Sequence, residues 1–325
     1  FIGRIVSQAR AEALAAVHSH DQHPTPQPLR FEPMSEQRLL IGLIGSTIGA
    51  SLSPAMHERE AGHHGLRLHY QLIDLDRRPA TADDLGGLID CMRLIGFDGF
   101  NVTFPCKQSV IGLLDEVSDE AAAIGAVNTV VMRSGRLVGY NTDCSGWRYG
   151  FERDVPDAGI DTVVLLGAGG AGSAIAEALM RMGSRTLHVI DTDADKARAL
   201  IDRLEARYPG RARAGAPGDL AAALSRADGL VHATPTGMVK MPGLPLDVSL
   251  LESRHWVSEV VYFPIETELV RAAREKGCRV VDGGGMAVGQ AVGAFEHFTG
   301  LRANGERMNS HFQDLLSARI QPDLA

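Results

Sequence analysis

Two groups of residues in this chain are suited to do chemistry. The first follows the apolar run Thr162 to Leu166, where Gly-Ala-Gly-Gly-Ala-Gly places Gly167, Gly169 and Gly172 in the positions of a G-x-G-x-x-G turn, with Ala168, Gly170 and Ala171 between them. Such a pattern carries weight only in context. Here it leaves a strand, opens a helix and precedes a second strand that ends in Asp191, which is the context required. Gly167 permits the tight turn, Gly169 lets a pyrophosphate approach the backbone, and Gly172 lets the helix pack on the sheet. The free N–H groups and positive dipole end of that helix face the phosphates. A carboxylate at Asp191 accepts hydrogen bonds from both hydroxyls of an adenosine ribose and repels a 2′-phosphate. Asp193 and Asp195 add to that repulsion, and Lys196 and Arg198 soften it only by turning inward. The expected cofactor is NAD, with NADP the less favoured partner.

The second group lies nearer the start. Ser51 and Ser53 flank Leu52 just before a helix opened by Pro54, so an extended segment would turn both hydroxyls to one face beside a helix N-terminus, a setting that favours a carboxylate. The same layout also serves as an ordinary N-cap. Further along come NVTFPCK with Asn101, Thr103 and Lys107, GAVNT with Asn128, NTDCSG with Thr142 and Asp143, and MAVGQAVGAF with Gln290.

From about Leu39 onward the chain resembles the shikimate dehydrogenase family. The resemblance rests on SLSPxMH, NVTxPxK, GAVNT, NTDxxG, GAGGAG, ATPxGM (Ala233 to Met238) and a late GM…Q, in the family's order. EVVYFPIETELVRAAREKGC is similar to the NAD-using quinate/shikimate dehydrogenase branch, in agreement with Asp191. The resemblance implies that Ser51 and Ser53 hold a substrate carboxylate with Tyr262 nearby. It implies that Thr103, Asn128 and Gln290 bond the ring hydroxyls, that Thr142 orders the pocket, and that Lys107 and Asp143 form the catalytic pair. Thr234 and Met238 would line the nicotinamide end, with Val260, Gly283 and Met286 completing the cofactor side. Shikimate is the substrate implied, with quinate as a rival. A methylene-folate dehydrogenase is a more distant rival, and its larger pterin substrate finds no matching residue set. A non-catalytic NAD sensor is the rival from another class, and it would be expected to lack one of Lys107, Asp143 and Gln290.

Elementary chemistry agrees with the implied pair. Oxidising a secondary alcohol requires a group that takes the hydroxyl proton as hydride departs. An ordinary lysine, with a pKa of about 10.4, is a poor base. Desolvation in a closed cleft lowers that value, while a neighbouring carboxylate raises it and holds the amine in place. Three features depart from the family pattern. His232 stands where asparagine is usual, Gly283-Gly284-Gly285 reads as a loose loop aiming Gln290, and the cofactor loop lacks the Asn-Arg-Thr of NADP-specific members.

These residues need elements to position them. Short β-branched runs alternate with helical segments from Leu39 onward, which predicts an α/β fold of βαβ units with mostly parallel sheets. LLIGLIG, LHYQLIDL and FDGFNV read as strands, Ala82 to Leu94 as a helix, and helices are expected after Lys107 and Ser118. AVNTVVM and RLVGYN pair around Ser134-Gly135, and a helical connector spans Cys144 to Pro156. Two α/β domains around a cleft follow: a substrate domain of 38–143 plus 286–325, and a Rossmann domain of 144–285. Residues 1–37, with His18, His20 and His23 ahead of Pro24, Pro26 and Pro28, read as a solvated tail, and Met34 as the natural start.

At 325 residues with 45% hydrophobic content, the chain can fill two cores. A formal charge of −8 with no dense basic run argues against nucleic acid and anionic membrane surfaces as partners. The apolar stretch Val163 to Met180 is broken by glycines and carries Glu177, so it does not read as a membrane span. Four scattered cysteines (Cys91, Cys106, Cys144, Cys278) suit free thiols in the cytoplasm, with no disulfide framework or metal site. The expected assembly is a monomer or homodimer acting on a small molecule.

Overall fold

The computed structural model describes residues 38–77 and 81–320. The expectations for residues 1–37 lie outside the described residues. In chain order the first region contains β1 (Arg38–Gly45), α1 (Ser53–His63), β2 (Arg67–Asp74), α2 (Leu85–Ile95), β3 (Gly99–Val102), β4 (Glu116–Val117), α3 (Asp119–Ile124), β5 (Thr129–Arg133) and β6 (Arg136–Tyr140). Helix α4 (Asp143–Asp154) then leads to β7 (Thr162–Leu166), α5 (Gly170–Met182), β8 (Thr186–Ile190), α6 (Ala194–Glu205) and β9 (Ala212–Gly215). The chain closes with α7 (Leu220–Leu224), β10 (Gly229–His232), β11 (Trp256–Glu259), α8 (Glu268–Glu275), β12 (Arg279–Val281), α9 (Gly283–Thr299) and α10 (Gly305–Ile320).

The strands form two six-stranded sheets. The second, ordered β12-β11-β10-β7-β8-β9, is parallel throughout. Its central strands β7, β10 and β11 are buried on both faces, as a sheet covered by helices requires. The first, ordered β2-β1-β3-β5-β6-β4, is mixed. Ser134 (φ 52°) and Gly135 (φ 78°) both take the left-handed conformation of a two-residue hairpin turn, which reverses the chain and makes β5 and β6 antiparallel. Between Lys107 and β4 the expected helix is only a 3₁₀ turn, Ser109–Leu113. Helix α2 is entered through a 3₁₀ turn whose first N–H groups are held by the Thr81–Asp84 capping box.

Two helices tie the sheets together. Helix α4 leaves β6 and leads into the second sheet, while α9 leaves the second sheet and packs back beside α4. They cross at backbone distance: a Cβ on Gly146 would stand 2.5 Å from the Gln290 nitrogen, and one on Gly285 would stand 2.7 Å from the Gly150 Cα. This corrects the reading of Gly283-Gly284-Gly285 as a loose loop. All three are buried in the first turn of α9, Asp282 caps that turn through the Gly284 N–H, and a Cβ on Gly283 would lie 2.7 Å from the Val260 carbonyl. The glycines are there for close approach, and they aim Gln290 from a fixed helix.

Candidate active site at the strand ends

The candidate residues sit at the carboxyl ends of both sheets, where α/β folds bind ligands. On leaving β3 the chain brings Thr103 and Lys107 forward, and the Lys107 carbonyl is pinned by the Val127 N–H at 2.8 Å. Lys107 Nζ donates to Asp143 Oδ2 at 2.5 Å, with the lysine side chain 17% exposed and the aspartate 5%. Asp143 opens α4, where the helix dipole favours a negative charge, and its own N–H donates to Asn141 Oδ1. The second oxygen, Oδ1, accepts from Asn128 Nδ2 at 3.0 Å. The other amide hydrogen of Asn128 goes to Thr142 Oγ1, also at 3.0 Å, and its Oδ1 accepts from Thr129 Oγ1 and the Thr142 N–H. Thr142 Oγ1 in turn lies 3.0 Å from the Gln290 carbonyl. The amide of Asn128 is thus fully engaged, and its immediate effect is to aim Asp143 at Lys107.

Cys106 and Cys144 flank this pair in sequence. Both are buried, and desolvation raises the Cys106 thiol and pushes Cys144 up to about 12. Both remain protonated thiols at neutral pH and act as packing.

The serine segment differs in detail from its expected form. Leu52 is helical in backbone (φ −90°, ψ −6°), so Ser51 to Ser53 is a tight turn and not an extended run. The Ser53 N–H donates to Ser51 Oγ at 3.2 Å, and Ser53 is the first residue of α1. The two hydroxyls still serve one locality. Tyr262, partly exposed at 37%, reaches the Ser51 side chain, and buried Tyr70 reaches that of Ser53. Burial lifts the Tyr70 phenol far above its usual range, so it stays a neutral donor, bonded to Asn101 Oδ1 at 2.7 Å. Thr103 is half-buried against Gly45, where a Cβ would lie 2.3 Å from its methyl. Gln290 is half-buried, with Nε2 donating to the Ala287 carbonyl.

The glycine turn fits a dinucleotide by what it omits. Gly167 has φ 99°, a conformation glycine adopts freely, and a Cβ on Gly172 would stand 2.0 Å from the Gly167 carbonyl. Around Gly169 a Cβ would meet nothing within 4 Å, which leaves open space at the cap of α5 for a phosphate. Ala168 is buried, and its N–H donates to Asp191 Oδ2 at 2.7 Å, while the other oxygen of Asp191 accepts from Asp193 N–H. The carboxylate is therefore held at the end of β8, and each oxygen keeps a further lone pair. Lys196 and Arg198 pair with Asp193 and Asp195 at the surface. Gly170 lies against Lys107, with an ideal Cβ 3.2 Å from the lysine Cδ, and so joins the two halves of the site. Thr234 packs beside Gly167, Met238 forms a small bridge with Met241, Val260 donates to the His232 carbonyl, and Met286 is buried at the start of α9.

Several residues at the site escape sequence reasoning. Tyr70 braces the substrate side from within the sheet through its bond to Asn101 of the NVTFPCK segment. Arg319 of α10 donates to the Ala50 carbonyl at 2.6 Å and lies over the Phe263 ring at 5.6 Å, joining the serine turn to the Tyr262 segment. Lys240 pairs with Asp76, which also accepts from Thr47 Oγ1. Their partners lie far away along the chain, and no local spacing marks them.

This architecture, a mixed sheet bearing a buried Lys–Asp pair beside a parallel sheet bearing a dinucleotide turn, defines a two-domain α/β dehydrogenase. A family model described as the shikimate dehydrogenase substrate binding domain matches residues 43–130. A shikimate dehydrogenase (NADP(+)) of Streptomyces avermitilis is 52% identical over 283 residues, spanning 87% of this chain and 97% of the relative. A quinate/shikimate dehydrogenase (NAD(+)) of Corynebacterium efficiens is 46% identical, spanning 87% of this chain and all of the relative. Among solved structures, quinate dehydrogenase from Corynebacterium glutamicum in complex with NAD aligns with TM-score 0.79 at 44% identity, covering 86% of this chain and 100% of that one. The chain belongs to the shikimate dehydrogenase family and is a dehydrogenase that uses a nicotinamide dinucleotide.

Proposed function

We propose that this protein catalyses the reversible NAD-dependent oxidation of shikimate to 3-dehydroshikimate, and that quinate is its second substrate. The observation that carries the reading is the Lys107–Asp143 contact of 2.5 Å, made by a lysine whose stem rests on the first residue of the dinucleotide helix. Bound nicotinamide supplies the hydride acceptor. Lys107, in its unprotonated form, takes the proton of the substrate hydroxyl. In the reverse direction its ammonium group polarises the ketone and returns the proton. Asp143, fixed through Asn128, keeps the amine aimed. Ser51 and Ser53, with Tyr262, receive the substrate carboxylate. Thr103 and Gln290 offer bonds to ring hydroxyls, and Asn128 and Thr142 order the pocket around them.

NAD is favoured over NADP because Asp191 presents a held carboxylate where a 2′-phosphate would lie, and the neighbouring cations are engaged with Asp193 and Asp195. The curated relatives divide on this point, since the Streptomyces enzyme carries NADP(+) in its name and the Corynebacterium enzyme NAD(+). Quinate is retained because the Corynebacterium glutamicum structure is of a quinate dehydrogenase, and serine at position 53 is small enough for the extra hydroxyl. The substrate lobe comprises 38–143 with 286–325, the dinucleotide lobe 144–285, and closure between them excludes water. The test is kcat/KM for shikimate and quinate, each with NAD and NADP. Faster turnover of shikimate with NAD supports the proposal, and a folded protein that turns over none of the four combinations overturns it.

A further inference from the structure

His232 and Glu259 form a fully buried polar pair in the dinucleotide lobe, behind Thr234. His232, at the end of β10, has no exposure; its Nδ1 is 2.9 Å from Glu259 Oε1 and its Nε2 is 2.5 Å from Thr234 Oγ1. Glu259, at the end of β11, is likewise buried. Its Oε1 also accepts from the Val261 N–H at 2.9 Å, and its Oε2 accepts from Thr267 Oγ1 at 3.0 Å. Burying a carboxylate and an imidazole together costs free energy that only complete hydrogen bonding offsets, and here every atom of the pair has a partner. Thr234 is the one member that is only half-buried, and its methyl would lie 3.0 Å from a Cβ on Gly167, the first glycine of the phosphate turn. In the sheet, β10 and β7 are neighbours. The first strand and the strand that reverses the sheet order enclose the crevice where a dinucleotide lies.

We infer that Glu259 and His232 form a positioning relay that fixes the direction of the Thr234 hydroxyl, so that Thr234 presents a lone pair to the dinucleotide crevice. The polarity follows from the partners. A carboxylate that already takes two donors requires Nδ1 to carry the hydrogen, which leaves Nε2 of the neutral ring as an acceptor. Thr234 Oγ1 therefore spends its only hydrogen on Nε2 and accepts from the Thr236 N–H at 3.4 Å, which leaves one lone pair for a donor in the crevice. Its matching ligand groups are the hydrogen-bond donors of the nicotinamide half of the cofactor, the ribose hydroxyls and the carboxamide N–H. This inference rests on the reading of the crevice as a dinucleotide site, but not on the identity of the acid oxidised.

The test is direct binding of NADH to the intact protein, read by fluorescence, beside steady-state KM values. Thr234→Val, which keeps the shape and removes the hydroxyl, weakens NADH binding about tenfold, the loss of one hydrogen bond, and leaves the KM of the acid within twofold. His232→Gln rescues the relay, because its amide donates to Glu259 and its carbonyl accepts from Thr234, whereas His232→Leu reproduces the Thr234→Val defect. Adding His232→Leu to Thr234→Val weakens binding no further, since the histidine acts through the threonine. Unchanged NADH affinity in Thr234→Val, or additive losses in the double variant, overturns the inference. If His232→Leu does not fold, Thr234→Val and His232→Gln still decide it. Should the wild-type protein bind NADH yet oxidise neither acid, the substrate assignment fails while the relay remains open to the same binding test.

Discussion

The substrate side and the cofactor side of this site are built on opposite plans. Around Lys107 the geometry is made by side chains. Lys107, Asp143, Asn128, Thr142 and Thr129 hold one another through a closed set of hydrogen bonds, nearly all buried. Around Gly167 the geometry is made by backbone and by the absence of side chains, with a Cβ excluded at Gly172 and open space left at Gly169. A side-chain network supplies charge and proton transfer and is sensitive to the chemistry of each member. A backbone cradle supplies fixed dipoles to a polyanion and is sensitive to bulk.

The largest expected effect separates the two. Lys107→Ala should lower kcat for shikimate about 100- to 10,000-fold, the usual range for removing a proton-transfer group, with NADH affinity within threefold and the protein still folded by circular dichroism. A comparable loss of NADH binding would mean that the two sides are not separable. Gly172→Ala should do the reverse. Overpacking against the Gly167 carbonyl costs up to about 3 kcal/mol, or on the order of 100-fold in NADH affinity, measured by titration. An unchanged Kd would show that the turn has room to yield.

Buried side chains on the substrate side also make that region sensitive to acid. Burial lowers His57 from 6.5 to about 4, opposed only by its bond to the Ser53 carbonyl. The unfolded chain binds this proton first as pH falls, so stability declines from about pH 6.5 and the loss levels off near pH 4. The full effect is about 3 kcal/mol. His188, His255, His297 and His311 are lowered in the same direction, so denaturant unfolding between those limits should show a slope steeper in the parent than in His57→Gln by that of one proton, and equal slopes would assign none of the acid sensitivity to His57. The smallest expected effect concerns cofactor choice. Asp191→Ser should lower kcat/KM with NAD about tenfold, through loss of hydrogen bonds to a charged acceptor, and raise it with NADP. No change in the ratio of the two would remove Asp191 from cofactor discrimination.

Much of this was legible in the chain before folding. The glycine turn, Asp191 and the alternation of strands with helices are local signals, and each appears where expected because turn sterics and hydrophobic period act over a few residues. Elements with weak local signals were missed. Glu116–Val117 and Ala212–Gly215 are short edge strands with few β-branched residues, and their pairing with β6 and β8 is what makes them strands. The helix expected after Lys107 shortened to a 3₁₀ turn, and the serine segment closed into a turn where extension was expected.

The sequence by itself determined which residue types are available, and the order in which strand ends deliver them. It also determined where a dinucleotide can approach the backbone, because only glycine tolerates the dihedral angles and close contacts of that turn. The tertiary structure alone decided that Asn128 turns its whole amide to Asp143 and Thr142, that Gly283 to Gly285 pack instead of flexing, and that Glu259 stands behind His232 and Thr234. Apart from the His232–Thr234 bond, those arrangements depend on contacts between residues 14 or more positions apart. Their hydrogen-bond partners are set by the packing of two sheets and two crossing helices, which no local spacing encodes.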